Sequence, residues 1–162
     1  MKPRRAEAGD AGAIASIWNH YIRNTTVTFT TDEKSENQVA DYIAGRQSDG
    51  ACVFVLKESG TLTGFSASSP FRSGPGYAHT LETSVMLVTG ASGAGRGRAL
   101  MHAVEAEARA HPIRALVAGI SGENDAAIRF HSALGFDKVG RMPGVGRKFD
   151  RLLDLVLMQK TL

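Results

Sequence analysis

The feature that most constrains this fold is a glycine-rich loop between a predicted strand and a predicted helix. The β-branched run from Tyr77 to Val88 leads into four glycines within eight positions, from Gly90 to Gly97. Because glycine has no Cβ, a ligand can approach the backbone closely, and the first N–H groups of the next helix are free to bind an anion. The pattern predicts a pyrophosphate site, and the alternative is a flexible glycine hinge.

Two common phosphate-binding motifs do not fit this loop. The nucleotide P-loop requires a lysine and a hydroxyl residue after its second glycine, but Arg96 and Gly97 follow Gly95. The dinucleotide fingerprint requires a third glycine at the position of Arg98. Arg96 and Arg98 add positive charge at the rim. The loop therefore predicts a phosphate ligand held outside both of these motif classes.

Helices and strands alternate along the rest of the chain. Asp10 is predicted to cap a helix that reaches Asn24, and Ser35 with Gln38 forms a capping box for a second helix. A third helix is predicted to begin near Arg96. The other predicted elements are a hairpin over 52–68, strands over 77–88, 113–121, 136–140 and 149–158, and a helix over 124–134 ended by Gly135. This order predicts an α+β (or α/β) sheet, partly parallel and partly antiparallel.

Composition excludes several classes of protein. The 162 residues predict a single domain spanning 1–162, and 43% hydrophobic with 22% charged residues is ordinary globular composition. A net charge of only +3 predicts no nucleic-acid partner. Cys52 is the only cysteine, so we expect no internal disulfide and a reducing cytoplasmic location. The sequence has no apolar run long enough to cross a membrane and no histidine or carboxylate spacing typical of a metal site.

The glycine loop and four other blocks are similar to one enzyme family. The segment Ser92–Gly97 resembles the pyrophosphate loop of the GNAT superfamily of acetyl-CoA-dependent N-acetyltransferases, except that Ser92 replaces an arginine or glutamine. The other blocks resemble the phosphinothricin and methionine sulfoximine acetyltransferase branch; they lie at 17–29, 71–72 with 77–85, 123–136 and 145–159. The resemblance implies a mostly antiparallel sheet flanked by about four helices, a splayed parallel strand pair that forms the acetyl-CoA cleft, and a homodimer.

The resemblance also implies which residues bind acetyl-CoA. The backbone of Val85, Met86 and Leu87 is expected to pair with the pantetheine arm as an added strand. The loop residues expected to bind the pyrophosphate are Gly93, Ala94, Gly95, Arg96, Gly97 and Arg98. Asn124 is expected to bind the pantetheine chain through its amide, a role compatible with capping the helix that follows it.

Two residues are predicted to move protons. Glu82 lies three residues before the Val85 edge, where a carboxylate can take the proton of an ammonium group. His131 occupies the position at which the family protonates the departing CoA thiolate, and imidazole can supply that proton near neutral pH. The alternatives are a solvated glutamate on a strand and a histidine packed on its helix.

Arg72 is predicted to hold an acceptor carboxylate, because a guanidinium group binds a carboxylate through two hydrogen bonds. The weaker candidates for the acceptor pocket are Phe29, Tyr77 and Lys148. The expected activity is acetyl transfer, in a ternary complex, to the α-amino group of a small amino-acid-like acceptor such as phosphinothricin or methionine sulfoximine. The alternatives are another amine (a protein N-terminus, a polyamine or an aminoglycoside) and a non-catalytic acyl-CoA-binding module.

Overall fold

The structure, a computed structural model, describes residues 2–162. Seven strands form one sheet in the order β1-β2-β3-β4-β5-β7-β6. The strands are β1 (Arg4–Arg5), β2 (Cys52–Glu58), β3 (Thr61–Pro70), β4 (Thr80–Leu87), β5 (Ala115–Ser121), β6 (Asp137–Lys148) and β7 (Arg151–Thr161). The α-helices are α1 (Ala11–Asn24), α2 (Glu36–Ala44), α3 (Arg96–Arg109) and α4 (Asp125–Ala133), and short 3-10 turns lie at Ala8–Asp10 and Pro75–Tyr77.

Neighbouring strands in this sheet are antiparallel except for the central pair β4 and β5, which is parallel. That parallel register is short: it runs from Thr80 opposite Ala115 to Glu82 opposite Val117 and then ends. Beyond Glu82 the two strands diverge, which opens a gap in the middle of the sheet. This architecture confirms the predicted mixed fold with a splayed parallel pair.

The helices cover both faces of the sheet. Helices α1 and α2 pack on one face in a core that includes Ile14, Val39 and Phe65. Helices α3 and α4 pack on the other face, around a core centred on Leu116 and Val156. Among residues 2–162, no helix is both long and apolar enough to span a membrane.

Local sequence signals fix several boundaries as predicted. The Ser35 hydroxyl accepts a hydrogen bond from the Gln38 N–H at 3.1 Å, and the Gln38 side chain accepts one from the Ser35 N–H at 2.9 Å. Asn124 caps α4 by accepting the Ala127 N–H at 3.1 Å. Gly135 takes φ = +88° directly after α4 ends, the left-handed conformation that a helix C-terminus favours.

Other predictions about the elements are right only in part, for identifiable reasons. Asp10 is the N-cap residue of α1 as predicted, but its side chain makes no capping bond, because its buried carboxylate binds Arg4 at 2.8 Å and Lys57 at 2.8 Å instead. Strand β4 begins at Thr80 rather than residue 77, because the 3-10 turn occupies Pro75–Tyr77. Strand β6 continues to Lys148 rather than ending at 140, since a break in its register between Met142 and Gly146 accommodates Pro143.

Candidate active site

The gap between β4 and β5 exposes backbone hydrogen-bonding groups along one edge of β4. Val88 donates its N–H to Thr63 on β3 at 2.9 Å, and antiparallel pairing alternates from residue to residue. The N–H and C=O groups of Val85 and Leu87 therefore point away from β3, into the gap. The Leu87 carbonyl accepts a hydrogen bond from the Tyr21 hydroxyl at 2.6 Å. The remaining groups at Val85 and Leu87 suit an extended amide chain lying in the gap.

The glycine loop closes one end of this gap and leads into α3. Gly90, Gly93 and Gly95 all have positive φ, between +78° and +91°, and a Cβ built at any of them would meet no atom within 4 Å. The loop backbone is therefore open to a ligand at these three positions, in space that side chains would occupy. Gly95 stands immediately before α3, whose first N–H groups carry a partial positive charge. We call this loop (Gly90–Gly97) the glycine cradle, and its open backbone before a helix start suits an anion.

The two arginines at the loop have different environments. The Arg96 guanidinium pairs with Glu58 at 2.8 Å and donates to the Ala91 carbonyl at 3.0 Å, so it stabilises the conformation of the loop. Arg98 is exposed at the start of α3. Of the two predicted cationic contacts, only Arg98 has a side chain that is free of an ion pair among residues 2–162. Its charge therefore remains available to a phosphate.

A cavity of about 480 Å³ runs from the loop along the gap. Its walls include the β4 edge from Val85 to Leu87, the loop residues Gly90 and Ser92, and Asn124 with Phe130 near α4. The segment after α1 covers it through Thr25 and Val27. The gap brings the predicted residues Val85, Leu87 and Asn124 to one continuous surface.

Glu82 lies at the last rung of the parallel pair, where the gap begins. The side chain keeps an exposed side, yet its carboxylate lies beside Gly119 of β5, with Oε1 3.3 Å from the position a Cβ on Gly119 would take. The surrounding protein withdraws water from the carboxylate, and this desolvation raises the pKa of Glu82 above its usual 4.5. A carboxylate with a raised pKa where the β4–β5 gap begins is suited to accept a proton.

Comparison with known proteins identifies the family. The sequence model of the acetyltransferase (GNAT) domain matches residues 4–157. This chain belongs to the GNAT acetyltransferase family. The predicted membership is confirmed, and with it the expectation of an N-acetyltransferase fold built around the β4–β5 gap.

Three GNAT relatives indicate what the family does. An L-methionine sulfoximine/L-methionine sulfone acetyltransferase of Salmonella typhimurium is 40% identical over 162 residues, covering 98% of this chain and 93% of the relative. A phosphinothricin acetyltransferase from Sinorhizobium meliloti, solved in complex with acetyl-CoA, superposes with a TM-score of 0.93 at 31% identity, covering 99% and 88%. A ribosomal-protein-alanine N-acetyltransferase structure from Brucella melitensis superposes with a TM-score of 0.95 at 34% identity, covering 100% of both chains.

In this GNAT domain Lys148 and Phe29 fix the position of residues 25–29, the segment that covers the cavity along the gap. The Lys148 side chain is only 2% exposed, and its ammonium group donates to the Thr28 carbonyl at 2.8 Å. Burial lowers the pKa of Lys148. The Phe29 ring lies against the backbone of Gly146, where a Cβ would overlap the ring. Both residues thus position residues 25–29, and their predicted contact with an acceptor stays a prediction.

The structure places His131 in the core beneath α4. The side chain is 5% exposed and packs edge-on against the rings of Phe130 and Phe136, each 5.2 Å away between centroids. Nδ1 lies 2.8 Å from the Ala127 carbonyl, which can only accept, so Nδ1 carries the proton. Burial lowers the pKa of His131, which disfavours the doubly protonated ring, and the buried Nε2 has no hydrogen-bond partner among residues 2–162. The general-acid role stays a prediction, and this geometry supports the packed alternative.

Arg72 and Tyr77 line a second cavity, of about 370 Å³, at the other end of β4. The Arg72 guanidinium lies 5.6 Å from the centre of the Phe71 ring and 6.0 Å from that of Tyr77. Leu81 also lines this cavity, and Glu82 follows it directly in the chain. The lining of this cavity ends at Leu81 and that of the first cavity begins at Val85, so the two lie at opposite ends of the Glu82–Ser84 stretch of β4, which lines neither.

Sequence reasoning missed two residues that shape the site. Tyr21 lies on the apolar stripe of α1, which predicts a core position, whereas its hydroxyl donates a hydrogen bond to the Leu87 carbonyl on the β4 edge. Gly119 interrupts an apolar strand, a pattern that marks close approach of another group, but the sequence does not say which group. Among residues 2–162, there is no cluster of three or more histidine, cysteine, aspartate or glutamate side chains able to hold a metal ion.

The loop geometry allows a controlled test of the anion cradle. We expect Gly95→Ala to fold, because the space around its Cβ is open. Alanine disfavours a φ of +78°, so the loop backbone should shift and lose a hydrogen bond to the charged phosphate. The KM for acetyl-CoA should therefore rise about tenfold. Gly135→Ala is the matched control: its φ is +88°, and it lies at the far end of α4. Equal KM values for the two variants would contradict the cradle.

Proposed function

We propose that this chain transfers the acetyl group of acetyl-CoA to the α-amino group of a small amino-acid-like acceptor, in a ternary complex. The observation that carries the proposal is the order of groups along β4. Leu81 adjoins the cavity that holds Arg72, Glu82 follows, and the open backbone edge at Val85 and Leu87 lies beyond it. An acceptor at Arg72 and an acyl donor in the gap would meet at Glu82.

The residues of the gap fit acetyl-CoA. The open glycine cradle before α3 matches a pyrophosphate in charge and shape, and the cavity continues from it along the gap. The free backbone groups of Val85 and Leu87 match the amides of a pantetheine arm. The acetyl-CoA complex of the Sinorhizobium meliloti relative supports the same assignment.

Each residue of the chain then has a distinct task. Bound acetyl-CoA supplies the activated acetyl group. Glu82 would take one proton from the acceptor ammonium group, which frees the nitrogen lone pair to attack the thioester carbon. As the amide bond forms and the C–S bond breaks, the second proton that the nitrogen loses would pass to the departing thiolate. Backbone N–H groups on the β4 edge donate to oxygen atoms in the gap, where negative charge develops during acyl transfer. Arg72 orients the acceptor through its carboxylate.

A second acceptor class has specific support. The Brucella melitensis neighbour is named a ribosomal-protein-alanine N-acetyltransferase, so a protein N-terminus is the competing acceptor. Two features favour the amino acid: the Arg72 guanidinium, which lines the second cavity, and the similarity to the methionine sulfoximine and phosphinothricin enzymes. A polycationic acceptor such as a polyamine is disfavoured by a net charge of +3.

A thiol-release assay with acetyl-CoA across a panel of amines tests the proposal. We expect methionine sulfoximine and phosphinothricin to be acetylated with a higher kcat/KM than their decarboxylated amines, a polyamine, an aminoglycoside or a peptide that begins with alanine. Mass spectrometry of the product locates the acetyl group on the α-nitrogen. A peptide preferred over every free amino acid would establish the competing acceptor, and no turnover with any amine would leave a binding module.

We also propose that the chain acts as one cytoplasmic domain and forms a homodimer. One sheet extends from Arg4 to Thr161, which supports a single unit. The β6–β7 hairpin carries large apolar side chains open to water, including Leu152 at 69% and Phe149 at 53% exposure, as expected of a protein interface. A second copy of this chain suits that apolar surface, and sedimentation equilibrium measures the oligomeric state. The buried free thiol of Cys52 suits a reducing compartment.

A further inference from the structure

We propose that Gly119 is a positioning residue for acetyl transfer. Because Gly119 has no side chain, the Glu82 carboxylate can lie directly against β5. This inference rests on the proposed function, since it assumes that Glu82 is the base. Gly119 touches the chemistry only through Glu82.

The position of Gly119 in the sheet supports this role. Along β5 the buried side chains of Leu116, Ala118 and Ile120 point into the core under α3 and α4. Side chains alternate along a strand, so Val117 and Gly119 belong to the opposite face. Glu82 pairs with Val117 at the last parallel rung, and Gly119 is the next residue on that face, where β4 has already moved away. The carboxylate leans into the space above Gly119.

The backbone does not explain why a glycine stands here. Gly119 does not adopt a positive φ, so an alanine could take the same backbone conformation. A glycine in the interior of a strand also weakens that strand. The atoms that a Cβ would meet are Glu82 Oε1 at 3.3 Å and Leu155 Cδ1 at 3.5 Å. The Leu155 contact is an ordinary one, so the carboxylate is the group that an added methyl would displace.

The displacement is small but falls on the reacting carboxylate. A methyl group at 3.3 Å would push Oε1 away from β5 by a few tenths of an ångström. Catalysis falls about 10²-fold for a misplacement of 1 Å, so we expect Gly119→Ala to lower kcat about tenfold. The affinity for acetyl-CoA should stay unchanged, because the glycine cradle and the β4 edge are untouched.

A double-mutant cycle tests the inference. Gly119→Ala is measured in the wild-type chain and in Glu82→Gln, with Gly140→Ala as control; Gly140 is a glycine of β6 whose Cβ would meet no atom within 4 Å. We expect Gly119→Ala to lower kcat about tenfold in the wild type and to cause no further loss in Glu82→Gln, because it acts through the carboxylate. Gly140→Ala should leave kcat unchanged. Calorimetric binding of acetyl-CoA confirms that each variant is folded.

Three results would overturn the inference. If Gly119→Ala turns over like the wild type while Glu82→Gln is impaired, Gly119 does not position the base, and the proposed function stands. If Gly119→Ala loses the same factor in both backgrounds, it acts independently of Glu82. Wild-type turnover in Glu82→Gln would instead remove the base itself, and the inference would fail together with that part of the proposed function.

Discussion

Replacing Glu82 by glutamine is expected to lower kcat by roughly 10²–10⁴-fold at neutral pH, the usual contribution of a general base. Glutamine keeps the length and hydrogen-bonding capacity of the side chain but cannot take the ammonium proton. Glu82 stands at the last rung of the β4–β5 pair, beside Gly119. The loss should therefore appear in kcat, while the KM for acetyl-CoA changes little.

The pH dependence gives this prediction a second readout. The base works as the carboxylate, so the wild-type kcat should fall as pH drops through the pKa of Glu82. Desolvation raises that pKa, so the fall should begin at a higher pH than for an ordinary glutamate of pKa 4.5. In Glu82→Gln this limb should vanish, and activity should recover in part at high pH as the free amine accumulates.

A matched control separates catalysis from general charge effects. Glu33→Gln removes a carboxylate that pairs with Arg23 on the surface, away from the residues lining either cavity. It should leave kcat and its pH profile unchanged. If Glu82→Gln also retains the wild-type rate and profile, Glu82 is a structural residue of the strand, and the base must be sought elsewhere.

Predictions from sequence succeeded where neighbouring residues decide the structure. The capping box at Ser35 and Gln38, the asparagine cap of α4 and the glycine after it each depend on contacts within a few residues. The strand–loop–helix order around the glycines at 90, 93, 95 and 97 is equally local, and the structure has it as predicted. The family resemblance then supplied the mostly antiparallel sheet and its splayed parallel pair.

Predictions failed where distant residues compete for the same group. Asp10 is of a residue type that caps helices, but Arg4 and Lys57 bind its carboxylate. Nothing near Asp10 in the sequence indicates that Lys57 will contact it. Strand β6 passes through Pro143 because its partner β7 holds it on both sides of the irregularity. Neither outcome follows from propensity alone.

Side-chain orientation was the hardest property to predict at the candidate site. His131 belongs to a helix with an apolar face, and the sequence does not show whether its ring faces the cleft or the core. The rings of Phe130 and Phe136 and the Ala127 carbonyl decide for the core. Lys148 is similar: a cation on a strand suggests exposure, whereas the carbonyl of Thr28, 120 residues earlier, binds it in the interior.

We propose that Arg72 decides which acceptor the site selects. Its guanidinium lies over aromatic rings on the rim of the second cavity, and the same cavity reaches Leu81, the residue before Glu82. An amino acid whose carboxylate binds Arg72 would present its α-nitrogen toward Glu82. A simple amine of the same shape would lack that anchor, and its nitrogen would be held less often beside the base.

We expect Arg72→Ala to raise the KM for amino-acid acceptors about tenfold to a hundredfold, because a charged bidentate contact contributes about 1.5–3 kcal/mol. The KM for acetyl-CoA should hardly change, and the decarboxylated amine should be a poor substrate that Arg72→Ala does not worsen. Arg72→Lys keeps the charge but not the pair of parallel hydrogen bonds, so its KM for amino-acid acceptors should lie between those of the wild type and Arg72→Ala. Arg129→Ala on the exposed side of α4 is the control. Steady-state kinetics with paired acceptors provide the measurement, and equal effects of Arg72→Ala on the amino acid and the bare amine would show that the acceptor carboxylate is not what this site recognises.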